Sequence, residues 1–343
     1  MAAAARRIIR VADDFRLERG GVLPEVDIAY ETWGRRNEHD NNTVLLFPGL
    51  SPSAHAASSP ADPEPGWWEW MIGPGRPLDT ERYHVICINP LGSCFGSTGP
   101  ASLHPDSGRP WGSDFPELSI EDIARSAHEL VKLLGIGRLH TVMGASLGGM
   151  AALSYTVEFP DAAERLVSLC AGMRAEPAAV ALRALQREIL CADPAWQGGH
   201  YEPGAGPREG MRLARKLGLI SYRSATEWAE RFGREEAELG AGAPPFAAGL
   251  QVESYLEANA RRFVDRFDPN CYLYLSRAMD WFDAGDLAGT RVRRALVIGV
   301  ETDTLFPLHQ QRELAERLCE LGRDVEFVAM PSLQGHDAFL VDR

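Results

Sequence analysis

LHTVMGASLGGM, residues 139–150, passes from a short apolar run into a glycine-rich turn and then into a helical pattern. Leu139 to Met143 reads as a strand buried on both faces, stopped by Gly144. Ser146 stands between Gly144 and Gly148, which matches G-x-S-x-G. In such an elbow the turn is so tight that the serine takes strained dihedrals and its flanking residues must be small. The hydroxyl is thereby exposed at a helix N-terminus, where backbone N–H groups favour a developing negative charge. A nucleotide-binding turn is the competing reading, but neither G-x-G-x-x-G nor a Lys-Ser/Thr ending is present.

Outward from the elbow, the same kind of run recurs. Thr43–Phe47, His84–Ile88, Leu166–Leu169 and Ala295–Val300 are nearly all apolar and end in turn residues. Between them lie helical patterns at Ile120–Leu134, Met150–Glu158 and His309–Leu321, the first opened by Ser119 with Asp122 in its first turn. Alternation of this kind implies a parallel sheet covered by helices. From about 173 to 285 only helical patterns occur (Ala178–Leu190, Arg208–Leu217, Ser224–Phe232, Val252–Phe267), with Gly- and Pro-rich joints at 198–207 and 240–245. The expected organisation is an α/β core, 1–172 and 286–343, with a helical lid, 173–285, inserted before the last strands.

A serine nucleophile needs a histidine base, itself oriented by a carboxylate. Of nine histidines, only His309 and His336 follow the last strand-like segments. His309 falls inside a helical pattern, whereas His336 sits in Gln334-Gly-His-Asp337, a loop after the apolar run Val325–Met330. Asp303 stands just beyond Ala295–Val300, where functional groups gather in open parallel sheets; its rivals Asp280, Asp283 and Asp286 lie in or beside the helical insertion. Ser146, Asp303 and His336 in that chain order are the triad of an α/β-hydrolase fold. The Leu147 amide, next to the nucleophile, and the Leu50 amide, in the loop after Phe47, are the expected oxyanion donors.

Composition narrows the partners. The formal charge is −13 over 343 residues, which argues against nucleic acid and means that an anionic substrate needs a local cation. Six scattered cysteines show no metal-ligand spacing, and no metal is expected. No 18-residue apolar run and no signal-length N-terminal segment occur, so no membrane association and a cytoplasmic location are expected.

Four stretches together resemble the homoserine O-acetyltransferase family: Asn89–Pro100 (NPLGSCFGSTGP), Gly144–Met150, Phe267–Asp283 (FDPNCYLYLSRAMDWFD) and Gly335–Leu340 (GHDAFL). The resemblance spans roughly residues 20–343. It implies an α/β-hydrolase-fold acyltransferase with a helical lid, usually dimeric, that moves an acyl group from coenzyme A to an amino-acid hydroxyl and holds no permanent cofactor. On that resemblance Ser146, Asp303 and His336 fall on the family's triad and Leu50 and Leu147 on its oxyanion hole. Arg215 and Tyr222 fall on the residues that hold the acceptor's carboxylate, and Asp337 on the residue that holds its amino group. Gly49-Leu-Ser-Pro52 and Arg183 depart from the acetyl-transferring pattern, and both, with Arg223–Trp228 (RSATEW), resemble the serine O-succinyltransferase branch. A buried succinyl carboxylate needs a cation, and Arg183 is the candidate; an exposed helix arginine is the competing reading. The expected reaction is succinyl transfer from succinyl-CoA to L-serine, with acetyl-CoA and L-homoserine as the alternative substrates. A plain esterase and a non-catalytic binding protein are the remaining alternatives.

Overall fold

The computed structural model describes residues 5–238 and 246–342. Its strands are β1 (Arg7–Arg16), β2 (Val22–Trp33), β3 (Thr43–Phe47), β4 (Ile72–Gly73), β5 (Leu78–Asp79), β6 (His84–Ile88), β7 (Leu139–Ala145), β8 (Ala163–Leu169), β9 (Arg294–Val300) and β10 (Asp324–Met330). Its α-helices are α1 (Ile120–Leu133), α2 (Leu147–Glu158), α3 (Pro177–Cys191), α4 (Arg208–Tyr222), α5 (Ala225–Phe232), α6 (Gln251–Val264), α7 (Pro269–Trp281), α8 (Leu308–Glu320) and α9 (Ala338–Val341). Eight strands form one sheet in the order β1-β2-β6-β3-β7-β8-β9-β10, and β4 pairs with β5 apart from it. From β6 to β10 all neighbours are parallel; β2 pairs antiparallel with both β1 and β6.

The apolar runs became the central strands because residues on both sides of each pleat are covered. Leu45, Phe47, Ile86 and Val142 face one core with α1, α2 and α8. Val44, Leu46, Val85 and Met143 face the other, which is closed by Trp68, Ile72 and the short α9. Helices therefore lie on both faces, but unequally. The edge strand β1 lacks an all-apolar run because one side of it meets solvent, where Arg10 bonds Asp27 and Glu25 of β2 at 2.6 and 2.8 Å; β2, inside it, is mostly buried but carries the buried Glu31.

Between β8 and β9 every α-helix and strand described is helical, α3 to α7. α4 runs five residues past the expected Leu217, and α2 starts at Leu147 rather than Met150. The joint expected at 240–245 lies outside the described residues.

The elbow depends on backbone contact. A Cβ on Gly144 would lie 2.1 Å from the Gly148 carbonyl oxygen, and one on Gly148 would lie 2.1 Å from that of Phe47. Both contacts are with backbone, which cannot rotate away. Gly148→Ala is accordingly expected to destabilise the fold by about 3 kcal/mol, read as a fall in the calorimetric Tm; an unchanged Tm would show that the strand-to-elbow contact yields freely.

Candidate active site

Ser146 sits between β7 and α2 with φ 57° and ψ −123°, a conformation that costs a non-glycine residue free energy and is held by its surroundings. Its own amide donates to the Leu169 carbonyl at 2.9 Å, and its carbonyl accepts from Gly149 and Met150, so the elbow is anchored to β8 and to the first turn of α2. The hydroxyl is 2.8 Å from His336 Nε2. His336 Nδ1 is 2.7 Å from Asp303 Oδ2, while Asp303 Oδ1 accepts from the Leu305 and Phe306 amides, both at 2.8 Å. All three side chains are buried.

The loop carrying His336 is fixed from several sides. Gly335 has φ +60°, and a Cβ there would meet the Tyr222 carbonyl oxygen at 2.6 Å. Thr302 Oγ1 accepts from the Gly335 amide at 3.1 Å and donates to the Ser332 carbonyl at 2.6 Å. Phe306 stacks on the imidazole, with centroids 5.2 Å apart, and Phe339 meets it edge-on. None of Thr302, Phe306 and Phe339 carried a sequence signal beyond closeness to the triad.

The loop after β3 packs directly on the elbow, as the Gly148–Phe47 approach requires. The amides of Leu147, at the first helical position, and of Leu50 make no intramolecular hydrogen bond among the described residues. Leu147 directly follows Ser146 at the start of α2, and Leu50 lines the cavity above Ser146. Two free N–H groups beside a serine hydroxyl suit an oxyanion.

That cavity holds about 80 Å³ and brings Ser146 and His336 together with Arg183, Arg215, Tyr222 and Asp337. Arg183, on α3, is only 4% exposed, so it is not a solvated helix arginine. Its Nε donates to Asp280 Oδ1 at 2.5 Å, and Arg187 Nη2 lies 2.6 Å from Asp280 Oδ2. Two guanidinium groups thus share one carboxylate, and Nη1 and Nη2 of Arg183 have no hydrogen-bond partner among the described residues. A buried donor left without a partner costs about 1–3 kcal/mol, more when charged, so these two NH₂ groups are suited to receive an anion.

Arg215, on α4, is half-buried, and its guanidinium lies over the Phe263 ring at 4.2 Å and the Tyr222 ring at 5.4 Å. Its Nε and Nη1 likewise have no partner. Burial pushes the Tyr222 phenol up, although Arg215 draws it down, so it stays a neutral donor at pH 7. Asp337 differs: Arg223 Nε donates to its Oδ2 at 3.0 Å, and Arg223 Nη1 donates to Glu227 Oε1 at 3.3 Å. The sequence reading missed Arg223 as the partner of Asp337, and nothing in its spacing pointed there. It likewise missed that Asp280 serves Arg183. Asp283 and Asp286 accept from nearby turn amides, and His309 is exposed beside Glu176.

An elbow serine, a histidine on a loop after the last strand and an aspartate after the strand before it define the α/β-hydrolase class. The α/β hydrolase fold family model matches residues 42–342. Serine O-succinyltransferase of Litchfieldella anticariensis is 57% identical, covering 98% of this chain and 95% of that protein. L-serine/homoserine O-acetyltransferase of Streptomyces lavendulae is 53% identical, covering 98% and 94%. The solved structure of esterase E22 superposes with a TM-score of 0.89 at 26% identity, covering 98% and 96%. The chain belongs to the homoserine O-acetyltransferase family of α/β-hydrolase-fold acyltransferases. Among the described residues no helix is long and apolar enough to cross a membrane.

Proposed function

We propose that the chain transfers a succinyl group from succinyl-CoA to the hydroxyl of L-serine through an acyl-Ser146 intermediate. His336 Nε2 takes the Ser146 proton as Oγ attacks the thioester carbonyl; the Leu50 and Leu147 amides hold the oxyanion. The C–S bond breaks and the CoA thiol leaves with the proton from His336. The acceptor hydroxyl, deprotonated by His336 in turn, attacks the acyl-serine carbonyl, and Ser146 recovers its proton. Arg215 and the Tyr222 hydroxyl take the acceptor's carboxylate, and Asp337 its ammonium.

One observation carries the choice of donor: the two unpartnered NH₂ groups of buried Arg183, in the cavity that holds Ser146. An acetyl group has no charge to put there, whereas a succinyl carboxylate does. The succinyl-transferring relative supports that choice. The S. lavendulae relative supports acetyl transfer and homoserine as the second reading, because one methylene is worth only about 1–3 kcal/mol in discrimination. The likeness to an esterase favours a third reading, hydrolysis, in which water replaces the amino acid.

CoA-thiol release, measured from succinyl-CoA and acetyl-CoA with L-serine, L-homoserine or no acceptor, separates all three. Release indifferent to acceptor would establish a hydrolase. Arg183→Leu is expected to lower kcat/KM for succinyl-CoA by a hundredfold or more, the scale of about 3–5 kcal/mol for unpairing a buried charge, and to leave acetyl-CoA turnover in place. Equal loss on both donors would remove Arg183 from donor choice. We further place the enzyme in the cytoplasm, where CoA thioesters and reduced thiols occur, as a homodimer.

A further inference from the structure

The cavity above Ser146 opens outward. Ser51, Pro52, Arg215 and Leu340 line both it and a larger pocket of about 680 Å³. Two arginines stand on the outer wall of that pocket, Arg262 in the last turn of α6 and Arg266 just beyond it. Both are exposed and neither makes an ion pair among the described residues; Arg262 Nη2 donates only to Asn259 Oδ1 at 2.7 Å. Their neighbours are different. Arg212 and Arg261 pair with Glu257 at 2.6 and 2.5 Å, and Arg208 pairs with Asp265. Arg262, in the last turn of α6, suits the negative end of the helix dipole, whereas Arg266 lies past the helix end, where the dipole gives it no role.

Four aromatic side chains, Trp67, Phe95, Phe263 and Phe267, also line the larger pocket. Trp67 is held by its Nε1, which donates to the Ser53 carbonyl at 2.8 Å, and Phe263 stacks on Phe267 with centroids 5.3 Å apart. Phe263 is thereby packed between Phe267 and the Arg215 guanidinium, and the Trp67 ring with two guanidinium groups that make no ion pair suits a base and its phosphates, through apolar contact and charge-assisted hydrogen bonds. The chain's charge of −13 makes such a local cation necessary, because the overall field opposes an anionic donor.

We infer that this outer pocket binds the phosphorylated nucleotide end of the acyl donor, with Arg262 and Arg266 on its phosphates, while the thioester end reaches inward past Arg215 to Ser146. The inference rests on the acyl-CoA reading above. The test compares wild type with the double variant Arg262→Ala/Arg266→Ala on succinyl-CoA and on succinyl-pantetheine, which lacks the nucleotide. The expected result is a KM for succinyl-CoA raised tenfold or more, with the KM for succinyl-pantetheine unchanged. Adenosine 3′,5′-bisphosphate should compete with succinyl-CoA in wild type and lose its effect in the variant. Turnover of the pantetheine thioester also shows that the variant is folded. A variant whose KM for succinyl-CoA equals that of wild type, or one that loses both donors alike, overturns the subsite and leaves acyl transfer standing. A wild type that releases thiol from neither succinyl-CoA nor acetyl-CoA overturns the acyl-transfer reading, and the subsite with it.

Discussion

Ser146→Ala is expected to lower kcat by about 10⁴–10⁶-fold, whichever acyl donor and acceptor the enzyme uses. The hydroxyl is the only protein group of the proposed mechanism that forms a bond to carbon. Its removal leaves the Leu50 and Leu147 amides and the Arg183 and Arg215 guanidinium groups in place, so donor binding should survive. Two measurements check this together. Wild type mixed with donor and no acceptor should gain the mass of one acyl group on the peptide that contains Ser146, and the alanine variant should gain none. Thiol release by the variant within a hundredfold of wild type would exclude covalent transfer through this serine. The strained φ of 57° at this position adds a second expectation. Alanine keeps the strain, so Tm should change little; a large fall would mean that the hydroxyl itself holds the elbow.

Asp303→Asn is expected to cost about 10⁴-fold in kcat, with little change in fold. Asp303 Oδ1 accepts from two backbone amides and Oδ2 faces His336 Nδ1 at 2.7 Å. An asparagine keeps its carbonyl oxygen on the Leu305 and Phe306 amides, where only an acceptor fits. Its NH₂ must then face His336 Nδ1, which has to accept. The ring proton moves to Nε2, and the imidazole can no longer take the proton of Ser146. The same substitution on a merely structural carboxylate would lower Tm and spare kcat, so the two readouts separate the roles. Loss of less than tenfold would mean that Asp303 does not set the histidine tautomer.

Most of the core could be read from the chain because a strand buried on both faces writes its environment into every residue. Thr43–Phe47 and His84–Ile88 coincide with β3 and β6 to the residue. The antiparallel β1 and β2 could not be found by the same rule, since six of the ten residues of β1 are exposed and the charged Glu25, Asp27 and Glu31 interrupt β2. Helix α7 was passed over for a related reason. Its buried residues (Asn270, Cys271, Tyr272, Leu275, Ser276, Ala278, Met279) wrap around much of its circumference, leaving no clean amphipathic stripe. Its start was nonetheless signalled by Asp268-Pro269: the Asp268 side chain accepts from the Cys271 amide at 2.9 Å.

By itself the sequence determined the central parallel strands, the elbow and the identities of the three residues now found in one hydrogen-bonded chain, because each lies in a local pattern: a glycine-flanked turn, a loop after a strand, a loop after the last strand. Only the tertiary structure decided what surrounds them. Whether Arg183 is a solvated surface charge or a buried one with two open NH₂ groups depends on where α7 brings Asp280. The pairing of Asp337 with Arg223 depends on the α4–α5 corner lying against the His336 loop. Such pairings join residues about a hundred positions apart, and no local propensity encodes them. They follow from the packing of the helical insertion over the sheet, and that packing sets which charges remain for a substrate.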